Sequence, residues 1–110
     1  MVFLHKDLTE EKWREKSFFE QMANVGAEIG RAINWRKKNK EYSYAAFNRG
    51  LELLDLTIND KKNHGSRLRE ICRIKEVLLD YFYADNIYGS TDKKWNDYFY
   101  LFGYAAAINR

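Results

Sequence analysis

Trp95-Asn96-Asp97-Tyr98-Phe99-Tyr100-Leu101-Phe102-Gly103-Tyr104-Ala105-Ala106-Ala107-Ile108-Asn109 runs near the end of the 110-residue sequence and decides how the rest is read. At 3.6 residues per turn this stretch has no continuous polar face beyond Asp97. A helix that is apolar or aromatic nearly all round must be covered on most sides. One small helical domain rarely covers a terminal helix so fully, so part of it is expected to be covered by a second copy of the chain. The residues expected to carry that contact are Trp95, Tyr98, Phe99, Phe102 and Tyr104.

Working outward, the composition bounds the fold. A chain of this length is one domain, 1–110, able to bury roughly two-thirds of the surface its unfolded form exposes. Hydrophobic residues make up 45% and charged residues 32%, which fits a globular protein rather than a disordered one. Aromatics reach 16%, and Tyr and Trp suit surfaces that are apolar on one side and wet on the other. Proline is absent where average usage gives about five, so nothing forces kinks or extended segments. The single cysteine, Cys72, excludes an internal disulfide and reads as a small buried apolar residue of a reducing compartment. No apolar run reaches membrane-spanning length, and Met1-Val2-Phe3-Leu4 is too short for a signal segment, so the expectation is a cytoplasmic protein without membrane contact.

The periodicity predicts an all-α, antiparallel four-helix bundle, homodimeric or of higher order. Residues 1–8 read as a loose arm. Thr9-Glu10-Glu11 and Ser17-Phe18-Phe19-Glu20 are both helix starts, the second with capping-box spacing, so either a short helix precedes the first long one or one helix runs through both. The first long helix spans about Ser17 to Asn39 with Phe18, Met22, Val25, Ile29, Ala32 and Trp35 as its apolar stripe. Gly26 and Gly30 lie one turn apart beside that stripe. Each costs about 1 kcal/mol relative to Ala in a helix interior, which close approach of a neighbouring helix would justify. The second helix, about Glu41 to Asn59, turns Tyr44, Phe47, Leu51, Leu54 and Ile58 inward and Asn48, Arg49, Glu52 and Asp55 outward. The third, from Ser66 to about Ala84, faces Leu68, Ile71, Cys72, Leu78, Leu79 and Phe82 inward. Lys75 falls on that stripe and must snorkel out or find an acid. Ser90-Thr91-Asp92 caps the last helix.

Three sets of residues carry candidate functions. The aromatic helix, with Gly26 and Gly30 permitting close packing, points to a non-enzymatic interaction or adaptor module needing no cofactor. A second protein is the other partner it would suit. Tyr81, Tyr83 and Tyr88, with Trp95, Tyr98, Tyr100 and Tyr104, have the composition of an aromatic pocket or stacking platform. The basic set is Trp35, Arg36, Lys37, Lys38, Lys40, Lys61, Lys62, Arg67, Arg69 and Arg73. It suits phosphate contact with base stacking and gives the alternative of a nucleic-acid-binding accessory protein. In an up-down arrangement, though, its two basic turns fall at opposite ends. The acid set is Glu52-x-x-Asp55 and Glu76-x-x-x-Asp80, two pairs on neighbouring helices that would suit Mg²⁺ over a phosphate. That is the manner of all-α nucleotide pyrophosphatases, and it gives the further alternative of a metal-dependent nucleotide hydrolase. The family pattern has Glu-x-x-Glu/Asp spacing on both helices, and the second pair here is spaced by four. Walker, zinc-binding and nucleophile-elbow motifs do not occur.

Tyr44-Ala45-Ala46-Phe47-Asn48-Arg49-Gly50 followed by Leu51-Glu52-Leu53-Leu54 resembles the second helix of HEPN-type bundles, which include the helical partners of small nucleotidyltransferases. The resemblance covers two helices and implies a helical bundle. Ribonuclease members of that group carry Arg, four to six residues, then His. No Arg stands at that distance before His5 or His64, so the resemblance does not extend to nuclease chemistry. Asp80-Tyr81-Phe82-Tyr83-Ala84-Asp85-Asn86-Ile87-Tyr88-Gly89-Ser90-Thr91 is similar to a segment of short uncharacterised bacterial helical proteins, a likeness that implies no function.

Overall fold

The computed structural model describes residues 10–108, so the expected arm over 1–8, with His5, lies outside the described residues. The chain is all-helical, with no strand among the described residues: α1 (Glu10–Arg14), α2 (Phe18–Trp35), α3 (Lys40–Ile58), α4 (Ser66–Tyr83) and α5 (Asp92–Ile108). Among the described residues there are thus five helices, the four expected and a short one before them, because Ser17 breaks the chain between its two helix starts. Ser17 adopts an extended backbone, its hydroxyl accepts from the Glu20 amide at 3.1 Å, and the Glu20 carboxylate accepts from the Ser17 amide. Asn39 caps α3 in the same way, accepting from the Tyr42 amide at 3.2 Å.

α2 is the axis of the molecule, packed against α3 on one side and α5 on the other, while α4 and α1 lean on α3. Cross-contacts set the directions. The Ser43 hydroxyl donates to the Ala32 carbonyl at 2.7 Å, and Arg49 meets Glu28 at 3.1 Å, so α3 runs back along α2. Lys75 meets Asp55 at 2.7 Å and the Tyr83 hydroxyl donates to Asn48 at 2.9 Å, so α4 runs back along α3. Lys75 therefore finds an acid rather than snorkelling past the stripe. Phe18 meets Phe102 edge-on at 5.7 Å, which places the start of α2 beside the second half of α5. The core comprises Met22, Val25, Ile29, Phe47, Leu54, Ile71 and Leu78 with Trp95 and Phe99 from α5, and Phe47 stacks on Phe82 at 4.2 Å.

Four sequence expectations about facing are corrected, the first at Trp35, which is 40% exposed at the end of α2 rather than on its buried stripe. Cys72 is exposed, because it sits a full residue step, about 100°, from the Ile71 side of α4. Tyr44 is exposed, although its ring lies 5.5 Å from Tyr83. Glu52 is buried rather than outward, since α3 is covered by three helices.

The two glycines of α2 have different roles. A Cβ on Gly26 would stand 2.6 Å from Phe99 Cβ and 2.8 Å from its Cγ, so only a bare backbone lets α5 seat there. A Cβ on Gly30 would meet nothing within 4 Å. Gly50 supplies a close approach the sequence analysis missed, with the Ile29 Cδ1 at 3.0 Å from the Cβ position.

A buried polar latch fixes α1 and the 59–65 turn against α2, also unforeseen. The Gln21 amide donates to the Trp13 carbonyl at 3.0 Å and to Asp60 at 2.8 Å. Asn63 donates to the Gln21 Oε1 and to the Thr57 carbonyl, both at 3.0 Å. The Trp13 indole N–H donates to the Thr57 hydroxyl at 3.1 Å, and the Lys62 ammonium bridges Asp60 and the Arg14 carbonyl. Burial alone would raise the Asp60 carboxyl. Hydrogen bonds from Lys62 and Gln21, with the Lys62 charge, more than offset it and hold the group below its ordinary 3.8.

Two predictions follow from these contacts. Gly26→Ala should destabilise by about 1 kcal/mol or more, overpacking outweighing the gain in helix propensity, whereas Gly30→Ala should stabilise by about 0.5–1 kcal/mol. Chemical denaturation of both variants checks the pair, and a stabilising Gly26→Ala would contradict the close approach. The Asp60 contribution is present above its unfolded value and lost as pH falls through its lower folded value. Wild type should therefore lose more stability than Asp60→Asn between about pH 5 and pH 2, read as the difference between their unfolding curves.

Candidate interaction face and aromatic pocket

The residues of α5 divide into two faces about half a turn apart. Trp95 and Phe99 are 5% and 6% exposed, with rings stacked at 5.9 Å, and point into the subunit against α2. Phe102 is half-buried between Phe18 and Tyr98, whose ring lies 5.2 Å away. On the opposite face, Tyr100 is 70%, Leu101 65%, Tyr104 59% and Ile108 60% exposed. The first turns of that outer face hold Lys93 and Asp97, paired at 2.6 Å, so it is charged at its start and apolar from Tyr100 onward.

The expected contact set is therefore corrected. Trp95 and Phe99 belong to the core, Phe102 and Tyr98 lie at its edge, and Tyr104 alone of that set stands well out of it. Tyr100, Leu101 and Ile108 were missed. The i, i+4, i+8 spacing of Tyr100, Tyr104 and Ile108 was legible, but nothing in an almost wholly apolar helix says which side meets α2. Gly26 faces Phe99 within the chain, and Gly30 has open space beside it.

Tyrosines tie α4 to α5 and to the 84–91 turn. The Tyr98 hydroxyl donates to Glu70 at 2.9 Å, Tyr81 to Asp92 at 2.5 Å and Tyr88 to Glu76 at 3.0 Å. Burial and the Glu70 carboxylate push the Tyr98 phenol far up, and burial with Asp92 raises Tyr81, so both stay protonated donors. The Glu76 carboxylate raises Tyr88. The 84–91 turn is built by Asp80 and Asn86. Asp80 accepts from the Ile87 and Tyr88 amides at 3.0 and 3.1 Å, while Asn86, at φ 54°, exchanges bonds of 2.7 and 3.0 Å with the Ser90 backbone. That turn holds Tyr88, Gly89 and Ser90 over a pocket of about 290 Å³ that Trp95 and Tyr98 also line. The expected aromatic pocket thus draws on Tyr88, Trp95 and Tyr98.

The acid set does not assemble. Asp55 pairs with Lys75, Glu76 takes the Tyr88 hydroxyl, Asp80 caps the 84–91 turn and Glu52 is buried in α3. Among the described residues no three His, Cys, Asp or Glu side chains gather as metal ligands. The basic set is divided between the two ends of α2, an 18-residue helix about 27 Å long. At one end the Arg67 guanidinium lies 4.5 Å from the Phe18 ring, and Lys62 is held by the latch. Lys61 and Arg69 are exposed near it. At the other end, Arg36 donates to the Tyr81 carbonyl at 3.0 Å and lies over the Tyr81 and Phe82 rings. Lys37, Lys38 and Lys40 are exposed there, and Trp35 meets Tyr42 edge-on at 5.3 Å. Arg73 belongs to neither end and lines the aromatic pocket.

Compared with known proteins, the chain matches no family model, no curated protein and no solved structure. Among the described residues, no helix is long and apolar enough to cross a membrane.

The two faces of α5 should separate in a stability measurement. Trp95→Ala should cost about 3–5 kcal/mol of folding free energy, as truncation of a buried aromatic does. Tyr104→Ser should stay within about 0.5 kcal/mol in dilute solution. Equal losses would contradict the division.

Proposed function

We propose that this protein is a non-enzymatic helical-bundle interaction module that associates with a second copy of itself through the outer face of α5. The observation that carries the reading is the stripe of Tyr100, Leu101, Tyr104 and Ile108, each more than half exposed on a well-formed helix. Grouped apolar exposure of this kind marks interaction surfaces, whereas single exposed apolar residues need no explanation. Tyrosine suits such a surface because its ring is buried on contact while its hydroxyl keeps a polar partner. The stripe begins where the Lys93–Asp97 pair ends, giving an apolar centre with a charged rim.

A double substitution, Leu101→Glu with Tyr104→Glu, should weaken self-association by about thirtyfold or more, equivalent to ~2 kcal/mol at a contact centre. Light scattering after size separation compares it with wild type. A wild-type protein that stays monomeric at tens of micromolar would contradict the reading.

A second reading is favoured by one observation. Arg36, Lys37, Lys38 and Lys40 line a hollow of about 730 Å³ with a single acid, Asp92, beside exposed Trp35. That arrangement suits a nucleic-acid backbone with stacking on the indole. Binding of a labelled single-stranded oligonucleotide should weaken steeply with added salt, and replacing Lys37, Lys38 and Lys40 by Gln should flatten that dependence. Salt-independent binding would rule this reading out.

A further inference from the structure

We infer that the pocket between α4 and the start of α5 is a binding site for a small anion carried on a planar ring. The pocket, about 290 Å³, lies near the lower end of small-molecule sites, room for a single or fused ring system. Its lining combines three aromatic rings, Tyr88, Trp95 and Tyr98, with two cations, Arg73 and Lys94, and the Ser90 hydroxyl.

The cations are arranged for an incoming charge. On a helix, Arg73 stands three residues from both Glu70 and Glu76, the spacing at which an ion pair ordinarily forms. Instead Glu70 accepts from the Tyr98 hydroxyl and Glu76 from the Tyr88 hydroxyl. Among the described residues Arg73 forms no ion pair, and the same holds for Lys94, whose ammonium is tethered to the Gly89 carbonyl at 3.2 Å. The two tyrosines that line the pocket thus each occupy one acceptor position on these acids, and neither carboxylate closes on the guanidinium. A planar guanidinium and an ammonium are the usual donors to a carboxylate or phosphate.

A second observation concerns Trp95. Its indole N–H is buried and has no hydrogen-bond acceptor within the described structure. Native proteins rarely leave such a donor without a partner. The rings around it supply the surface on which a flat ligand packs.

The site is distinct from the outer face of α5, because Trp95 turns away from the Tyr100–Leu101–Tyr104–Ile108 stripe. Carboxylate and phosphate share this chemistry, so the test uses both, with benzoate, AMP and inorganic phosphate titrated separately into the full chain. The readout is the indole N–H resonances in a proton–nitrogen correlation spectrum, with Trp95 assigned by Trp95→Phe. The expected result is a saturable shift of the Trp95 resonance with benzoate or AMP, the better of the two naming the anion, while the Trp13 and Trp35 resonances stay in place. Arg73→Gln should weaken that binding by about tenfold or more, as loss of a charge-assisted hydrogen bond does, and the charge-matched Lys61→Gln, at an exposed position of the 59–65 turn, should leave it unchanged. Three outcomes would overturn the proposal: no Trp95 shift with either ring-bearing probe, a shift that Arg73→Gln leaves intact, or inorganic phosphate binding as tightly as AMP. Circular dichroism of Arg73→Gln, an exposed position on α4, checks that the variant keeps its helices.

Discussion

Phe99 rests on the bare backbone of Gly26, and that contact settles how the last helix is shared between core and surface. With its Cβ 2.6 Å and its ring Cγ 2.8 Å from the place a Gly26 Cβ would occupy, Phe99 fixes both the rotation of α5 and its distance from α2. Once Phe99 is seated, helical geometry leaves no choice for the others. Trp95, one turn earlier, goes inward and Tyr104, half a turn away, goes outward. The exposed stripe is a consequence of how the buried one is held.

The second constraint is polar. Gln21 is fully buried in α2, yet it binds the Trp13 carbonyl, Asp60 and Asn63 at once. A buried amide of this kind is costly unless satisfied, so the latch specifies one placement of α1 and of the 59–65 turn. It also engages Lys62 and Asp60, which is why this basic turn is knit into the structure while Lys37 and Lys38 at the other end remain exposed.

Much of the fold was legible because helices announce themselves through period and caps. The Ser17 capping box and the buried stripe of α2 from Phe18 to Ala32 appear where the spacing places them, while Trp35 at its end is exposed. What was not legible is pairwise. Lys75 needed an acid, but only the fold shows that it is Asp55. Gly26 and Gly30 look alike in sequence, and only α5 distinguishes them. The aromatic run reads as a helix, yet its periodicity is nearly featureless, so nothing in it separates Trp95 and Phe99, which are buried, from Tyr100 and Tyr104, which are exposed. The acids were misread for a related reason. Spacing places Glu76 and Asp80 on one face of a helix but cannot show that a tyrosine hydroxyl and two turn amides already occupy them.

The measurement that reaches the central claim most directly is hydroxyl-radical footprinting of the unmodified chain across a concentration series, from micromolar to hundreds of micromolar. Reactivity at Tyr100, Leu101, Tyr104 and Ile108 should be high in dilute solution and fall as copies meet. Trp95 and Phe99 should stay protected throughout. Outer-face reactivity that does not change with concentration, or a Trp95 that reacts in dilute solution, would contradict the account.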